Sequence, residues 1–377
     1  MTVPFADLHA QYLSLKPELD AAIADVIRTS AFIRGPYVER FEQEFAAAMG
    51  RDLCVSCANG TDALYIAMHA LGVKGGDEVL TTAQSWISTS ETISQAGARA
   101  VFCDLDARTH TIDPAEIEAR ITPQTVGIIP VHLYGQPADM EAIMAIAERH
   151  GLWVVEDCAQ AHLATVNGRA VGTFGIAATF SFYPGKNLGA MGDAGAITTN
   201  DPDLARRMAM FARHGGVVKG EHYIEGINSR LDGLQAAVLS VKLPHLRAWT
   251  TRRQEVAALY DRDLGQVSDL RIPEVATGRS HVYHLYVIQH ERRDDLRSFM
   301  TARGIQTAIN YPTALPFLPA YAHLGHTEAD FPNAARAQSR ILSIPISAEI
   351  TEDQRRAVVQ AIEDFDLADA AATRFQG

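Results

Sequence analysis

The 377-residue sequence predicts an α/β protein: a mixed, mostly parallel sheet flanked by helices over residues 1–243, then a smaller α+β unit over residues 244–377. Three observations lead there. Short β-rich runs alternate with amphipathic helical patterns through the first half, as strand–helix crossovers require. Several helix boundaries are spelled out by capping chemistry. After about Lys242 the alternation stops, and a long polar helical stretch introduces a different pattern.

In chain order, the strand candidates are DLCVS, DEVLT, RAVFCDL, TVGIIPV and GLWVVE. Asp113-Pro114 followed by Glu116, and Asp201-Pro202 opening DPDLARRMAMFARHG, set a capping side chain before a first-turn proline, so helices should start at both places. Gly151 closes a helix running from about Ala138 to His150. The second unit reads as a helix from about Pro244 to Leu264, HLYVIQ, a helix near Arg293 to Arg303, GIQTAINYP, and a final helix from about Thr351 to Leu367. Only the last residues, ending TRFQG, are expected to fray.

The composition, 47% hydrophobic and 21% charged, is that of an ordinary soluble globular protein. A formal charge of -12 disfavours a surface built for phosphate backbones, so nucleic acid is not an expected partner. No apolar run reaches membrane-spanning length, and the amino terminus MTVPFADLHAQYLSLKPELD lacks the basic start and apolar core of a secretory signal. A cytoplasmic protein is expected. Cys54 and Cys57 form a CxxC, but the stretch RDLCVSCAN reads as a strand, and positions three apart on a strand project to opposite faces. They read as packing residues, and no metal site is expected.

Open α/β sheets bind ligands at the carboxyl ends of their strands, and three such ends carry unusual residues. In CANGTDAL a strand runs through Asn59 and Gly60 into a helix beginning near Thr61, which leaves backbone amides and a hydroxyl for an anion such as phosphate. Taken alone, the stretch reads more simply as an ordinary glycine turn and cap. In VVEDCAQAH, Glu156, Asp157, Gln160 and His162 follow an apolar strand, and a carboxylate there needs a partner. Asp157 either caps the following turn or faces a cationic ring nitrogen such as that of pyridoxal. In FSFYPGKNLG, Lys186 is the sole Lys, Arg, Asp, Glu or His between Ala170 and Gly192. This is not a nucleotide P-loop, because Phe180 stands where the first glycine belongs and Asn187 follows the lysine. A lysine in a desolvated turn either snorkels to solvent or has its amine pKa pulled down, which favours imine formation with an aldehyde. A phosphate seat, an acid for a ring nitrogen and an imine-forming lysine are together the anchors of a pyridoxal phosphate site. Trp86, in TTAQSWISTSE, offers a flat face for the ring, although by itself it reads more simply as core.

With those residues in place, the sequence resembles the DegT/StrS family of sugar aminotransferases, which have the aspartate aminotransferase fold, fold type I among pyridoxal phosphate enzymes. The resemblance spans nearly the whole chain, through FADLHAQY, CANGTDAL, GGDEVLTT, IIPVHLYGQPADM, VVEDCAQAH, FSFYPGKNLGAMGDAGAITTND, RHGG, INSRLDGLQAAVL and the NYP ending at Pro312. It implies that residues 1–243 bind pyridoxal phosphate, that Lys186 carries the cofactor as an imine, that Asp157 pairs with the ring nitrogen, and that Gln160 lies near the ring hydroxyl. It also implies stacking by Trp86 and phosphate contacts from Gly60, Thr61 and Ser181, with Asn228 reaching the phosphate from the other subunit of a homodimer. Arg230, Asn310 and Tyr311 become substrate-side candidates, and Arg213, His214 and Lys219 are candidates for the diphosphate of a nucleotide sugar that read more simply as surface charges or structural ion pairs. Many relatives have His-Tyr-Pro where this chain has Asn310-Tyr311-Pro312, so a neutral amide replaces a potential acid or base.

The function implied is transfer of an amino group from glutamate to a nucleotide-linked keto sugar, with a leaning toward the 3-keto position of a dTDP- or UDP-sugar over the 4-keto position. Lys186 argues against relatives that have lost the lysine and dehydrate sugars instead. No cysteine sits in an obvious mobile loop, as a desulfurase would need. The rival of a different kind is a non-catalytic regulator on the same scaffold.

Overall fold

The computed structural model describes residues 2–374 apart from Lys219; the expectation for TRFQG therefore falls largely outside the described residues, as does Lys219. Seven strands form the main sheet: β1 (Leu53–Cys57), β2 (Glu78–Thr82), β3 (Arg99–Cys103), β4 (Thr125–Ile129), β5 (Trp153–Asp157), β6 (Ala177–Ser181) and β7 (Gly195–Thr199). Their order is β1-β7-β6-β5-β4-β2-β3. All run in one direction except β7, which is antiparallel to both β1 and β6. The five expected strands are present. The two that complete the sheet, β6 and β7, lie in AATFS and GAITT, where glycine-rich turns on either side blur the pattern.

The sheet is buried on both faces, as a parallel sheet with crossover helices must be. Val55, Val79, Ile129, Val155, Ala177 and Ile197 pack on one side with the helices Gly60–Ala70 and Pro202–Ala212. Their strand neighbours Leu80, Ile128, Val154, Ala178 and Ala196 pack on the other side with the helices Pro36–Met49 and Met140–His150. Cys57 belongs to the first core and Cys54 packs against the second, so the two thiols do face opposite ways, and both are free.

The capping readings hold in detail. Asp113 accepts from the Ala115 amide, Asp201 accepts from Asp203 and Leu204, and Gly151 ends its helix at φ 65°. After a short 3-10 turn at Leu243–His245, the helix Leu246–Leu264 leads to a three-stranded antiparallel sheet of β8 (Leu270–Arg271), β9 (Tyr286–His290) and β10 (Ile341–Ile344). The helices Arg293–Ala302 and Glu352–Arg374 lie near the positions expected, the last running further than the sequence pattern suggested. The chain start joins this second unit: Val3 bridges Ile305, and the Phe5 amide donates to Gln306.

Candidate active site

The carboxyl ends of β1, β2, β4, β5 and β6 open on one edge of the sheet, and Gly60, Thr61, Trp86, Asp157, Gln160, Ser181 and Lys186 lie at or just beyond those ends. At the end of β1, Asn59 caps the helix Gly60–Ala70 by accepting from the Asp62 amide at 2.8 Å. That bond leaves the amides of the first turn aimed into the cleft. Gly60 is packed against β6 so closely that a Cβ on it would stand 2.7 Å from the Cβ of Ser181. Only glycine lets the helix start and the serine come together. Thr61 follows, its hydroxyl 2.6 Å from that of Ser88.

Ser88 opens the helix Ser88–Gln95, and the next residue carries the cleft inward. The Thr89 hydroxyl donates to Asp157 Oδ2 at 3.0 Å, while Oδ1 takes the Ala159 amide at 3.1 Å. Asp157 therefore does cap its turn, and both readings of it are compatible. Burial pushes the Asp157 carboxyl pKa up, against the two donors and the opposing charge of Lys186. No cation hydrogen-bonds to Asp157 among the described residues, so a protonated ring nitrogen would meet an unmatched acceptor.

Lys186 lies beyond β6 in a tight turn closed by its own amide donating to the Tyr183 carbonyl at 2.8 Å. Desolvation lowers its amine to about 8, with Asp157 pulling the other way. This is the direction nucleophilic chemistry needs, because the neutral amine is the reactive form. In cofactor-free protein, labelling of Lys186 by an amine-reactive acyl reagent is expected to rise through pH about 8; a rise only near the ordinary lysine value of about 10.4 would show an amine in water.

The far wall comes from the second unit. Gln160 accepts from the Tyr134 amide at 2.6 Å and donates to the Tyr311 hydroxyl at 3.0 Å. Tyr311 in turn lies 5.5 Å, ring to ring, from Trp86, tilted at 47°. Trp86 is 58% exposed, so its reading as core is wrong; it borders the cleft. Asn310 turns its carboxamide oxygen to the Ser343 hydroxyl at 2.9 Å, and its carbonyl accepts from the Tyr134 hydroxyl. Arg213, largely buried, is held in an ion pair with Glu42 at 3.5 Å, a structural role. His214 donates its amide to Ile227 and accepts from His222 through its carbonyl. Asn228 is exposed and Arg230 half-buried.

Sequence reasoning singled out Glu156 as a carboxylate in need of a partner but missed which partners it has. Fully buried, it accepts from His132 Nε2 at 3.1 Å and from the amides of Gly172, Phe174 and Gly175 at 2.7, 2.8 and 2.8 Å. The His132 ring is oriented by the Ala138 amide, which donates to Nδ1 at 3.0 Å. His132, Glu156 and Cys158 lie close enough to suggest a metal, but both Glu156 oxygens are already filled by two donors each. The cluster is a hydrogen-bonded strut beneath the site.

A strand order of this kind, with a desolvated lysine opposite a buried carboxylate beside a helix start, defines a pyridoxal-phosphate-dependent transferase. Comparison with known proteins narrows that class. The chain belongs to the DegT/DnrJ/EryC1/StrS aminotransferase family, whose profile matches residues 14–363. It is 48% identical to the pleiotropic regulatory protein of Geobacillus stearothermophilus, over 97% of this chain and 99% of the relative. It is 43% identical to the dTDP-3-amino-3,4,6-trideoxy-alpha-D-glucose transaminase of Streptomyces venezuelae, over 96% of each chain. Among solved structures, that of S. venezuelae DesV in complex with a ketimine intermediate superposes with a TM-score of 0.95 at 43% identity, covering 97% of this chain and 98% of the other.

Proposed function

We propose that this aminotransferase transfers an amino group from glutamate to the 3-keto carbon of a dTDP- or UDP-linked sugar, supplying amino sugars for glycoside or polysaccharide biosynthesis. The observation that carries the reading is the pairing of Lys186, whose amine is lowered to about 8, with the buried Asp157 in one cleft. The relatives named as transaminases of 3-amino sugar nucleotides support the substrate class and lean toward the 3-position over the 4-position.

Pyridoxal phosphate, when bound, supplies an aldehyde and an electron-withdrawing ring. Gly60, Thr61 and Ser181 hold its phosphate at the helix start, where amides and hydroxyls converge. Asp157 would hold a proton on the ring nitrogen, and Gln160 and Trp86 would flank the ring. Lys186 Nζ would hold the cofactor between turnovers, and its free amine would take up and give back the proton at the donor carbon and at the sugar carbon. Arg230 and Tyr311 border the substrate side. Asn310, engaged with Ser343, acts there by shaping the Tyr311 loop.

A homodimer supports the remaining phosphate contact. Phe32, Ile33, Tyr183, Met191, Tyr223 and Ile224 are large apolar residues exposed on the single chain. With Asn228 exposed nearby in sequence, a second copy covering this surface would bring Asn228 of one chain to the other's cleft.

A panel of 3-keto and 4-keto sugar nucleotides, offered with glutamate to the purified holoenzyme, tests the reading. Release of 2-oxoglutarate with the 3-keto members is the expected result. Preference for the 4-keto members would move the reaction to the neighbouring carbon, and no turnover with any member would favour a regulator on the same scaffold.

A further inference from the structure

The residue after the reactive lysine is more deeply buried than the lysine turn itself requires. Asn187 is 4% exposed and has both ends of its carboxamide engaged. Its Nδ2 donates to the Val282 carbonyl at 3.1 Å, which fixes the amide orientation and makes Oδ1 the acceptor of the 3.2 Å bond from His284 Nδ1. The two partners lie about a hundred residues downstream, in the segment that enters β9 of the second unit.

That segment is itself rigidly placed. Arg253, buried on the helix Leu246–Leu264, donates to the carbonyls of Tyr283 at 3.1 Å and Ile346 at 3.0 Å. The Val282 and Leu285 amides donate to Gly135 and Tyr134 at 2.9 and 3.1 Å. Tyr134 is the residue whose amide holds Gln160 and whose hydroxyl holds the Asn310 carbonyl. One short stretch therefore touches the lysine turn on one side and the Gln160–Tyr311 wall on the other.

We infer that Asn187 is a positioning residue that reads the placement of segment 282–285 and transmits it to Lys186 Nζ, so that the second unit sets where the reactive amine stands. The inference rests on Lys186 being the lysine that holds the cofactor. Folding of the turn does not depend on Asn187 alone. The turn is also closed by Ala190 donating to Phe182 at 2.8 Å and by Lys242 Nζ donating to the Gly189 carbonyl at 2.8 Å. Removing Asn187 should leave a folded turn with a lysine less firmly aimed. The charged group that acts on Lys186 is Asp157, which favours its protonated form, and the nearby rings of His162 and His284 are kept neutral by burial and by the lysine's own charge.

The test compares Asn187→Ala, His284→Phe and the double variant. Acyl labelling of Lys186 in cofactor-free protein is expected to shift upward by about half a pH unit or more in each, because a loosened turn admits water and relieves the desolvation of the amine. In the holoenzyme, kcat is expected to fall about tenfold with KM for the keto sugar nucleotide within about twofold, since aim and not binding is lost. The double variant should be little worse than Asn187→Ala alone, because His284 reaches the lysine turn through Asn187. A lowered melting temperature with an unchanged labelling profile, or additive losses in the double variant, would overturn the inference. A Lys186→Ala protein that still bound its cofactor covalently would overturn the underlying assignment of the lysine, an outcome distinct from either.

Discussion

Lys186→Ala is expected to lose the visible absorption of covalently held pyridoxal phosphate and to cut turnover by about 10⁴-fold or more. Two functions vanish together: the bond that holds the aldehyde, and the amine that moves the proton, which alone contributes about 10²–10⁴-fold. Asp157, Gln160 and the helix start at Gly60 do not depend on the lysine for their placement, since each is held by its own partners. The cofactor should therefore still bind without a covalent link, and adding a free amine should restore part of the rate. The measurement is a spectrum before and after glutamate, with wild type beside the variant. A wild type whose band glutamate bleaches and a variant with no such band agree with the assignment; a variant that kept the band would show that another amine holds the cofactor.

The lysine could be found in the sequence because its setting is local. A single charge among glycine, proline and aromatic residues is visible without knowing what lies across the cleft. The same holds for the helix start at CANGTDAL, for Asp157 at a strand end, and for the five strands with strong apolar runs. The strands β6 and β7 were less legible because glycines flank both and β7 runs against its neighbours, so its pairing is set by residues far away in the chain. Trp86 shows the limit of composition as a guide. Tryptophan is ordinarily buried, yet here it borders an open cleft, and only the contact with Tyr311, 225 positions on, reveals why. Asn187 and His284 were illegible for a related reason, and Glu156 was legible only as a carboxylate in need of partners that the sequence could not name. Their importance lies in partners supplied by distant segments, and nothing in KNL or VVED names those partners.

Glu156→Ala should be the most damaging change to stability near the site, about 3–5 kcal/mol, because it strips four donors of their buried acceptor. The carboxylate gathers three backbone amides from residues 172–175 and the His132 ring, all in a fully buried place. Each donor left without an acceptor costs about 1–3 kcal/mol, less whatever water entering the space of the lost side chain returns. A drop in melting temperature on the order of 10 °C is the expected reading. Glu156→Gln should not rescue it, because an amide nitrogen would be brought toward backbone N–H groups that can only donate. The acid response gives an independent check. Burial raises the Glu156 pKa, but the His132 bond and the amide bonds outweigh it and leave the carboxyl below its usual range. Its stabilisation is then present above the unfolded value of about 4.3 and is lost as the pH falls through the folded one, so the gap between wild type and variant should close in acid. A gap that stayed constant to low pH would mean that the side chain acts by filling space and not by its charge. Because these amides belong to the segment just before β6, whose last residue is Ser181, a loosened strut should also weaken cofactor binding without touching Lys186. An unstable variant that still held the cofactor at full affinity would show that the phosphate seat is fixed from the β1 side alone.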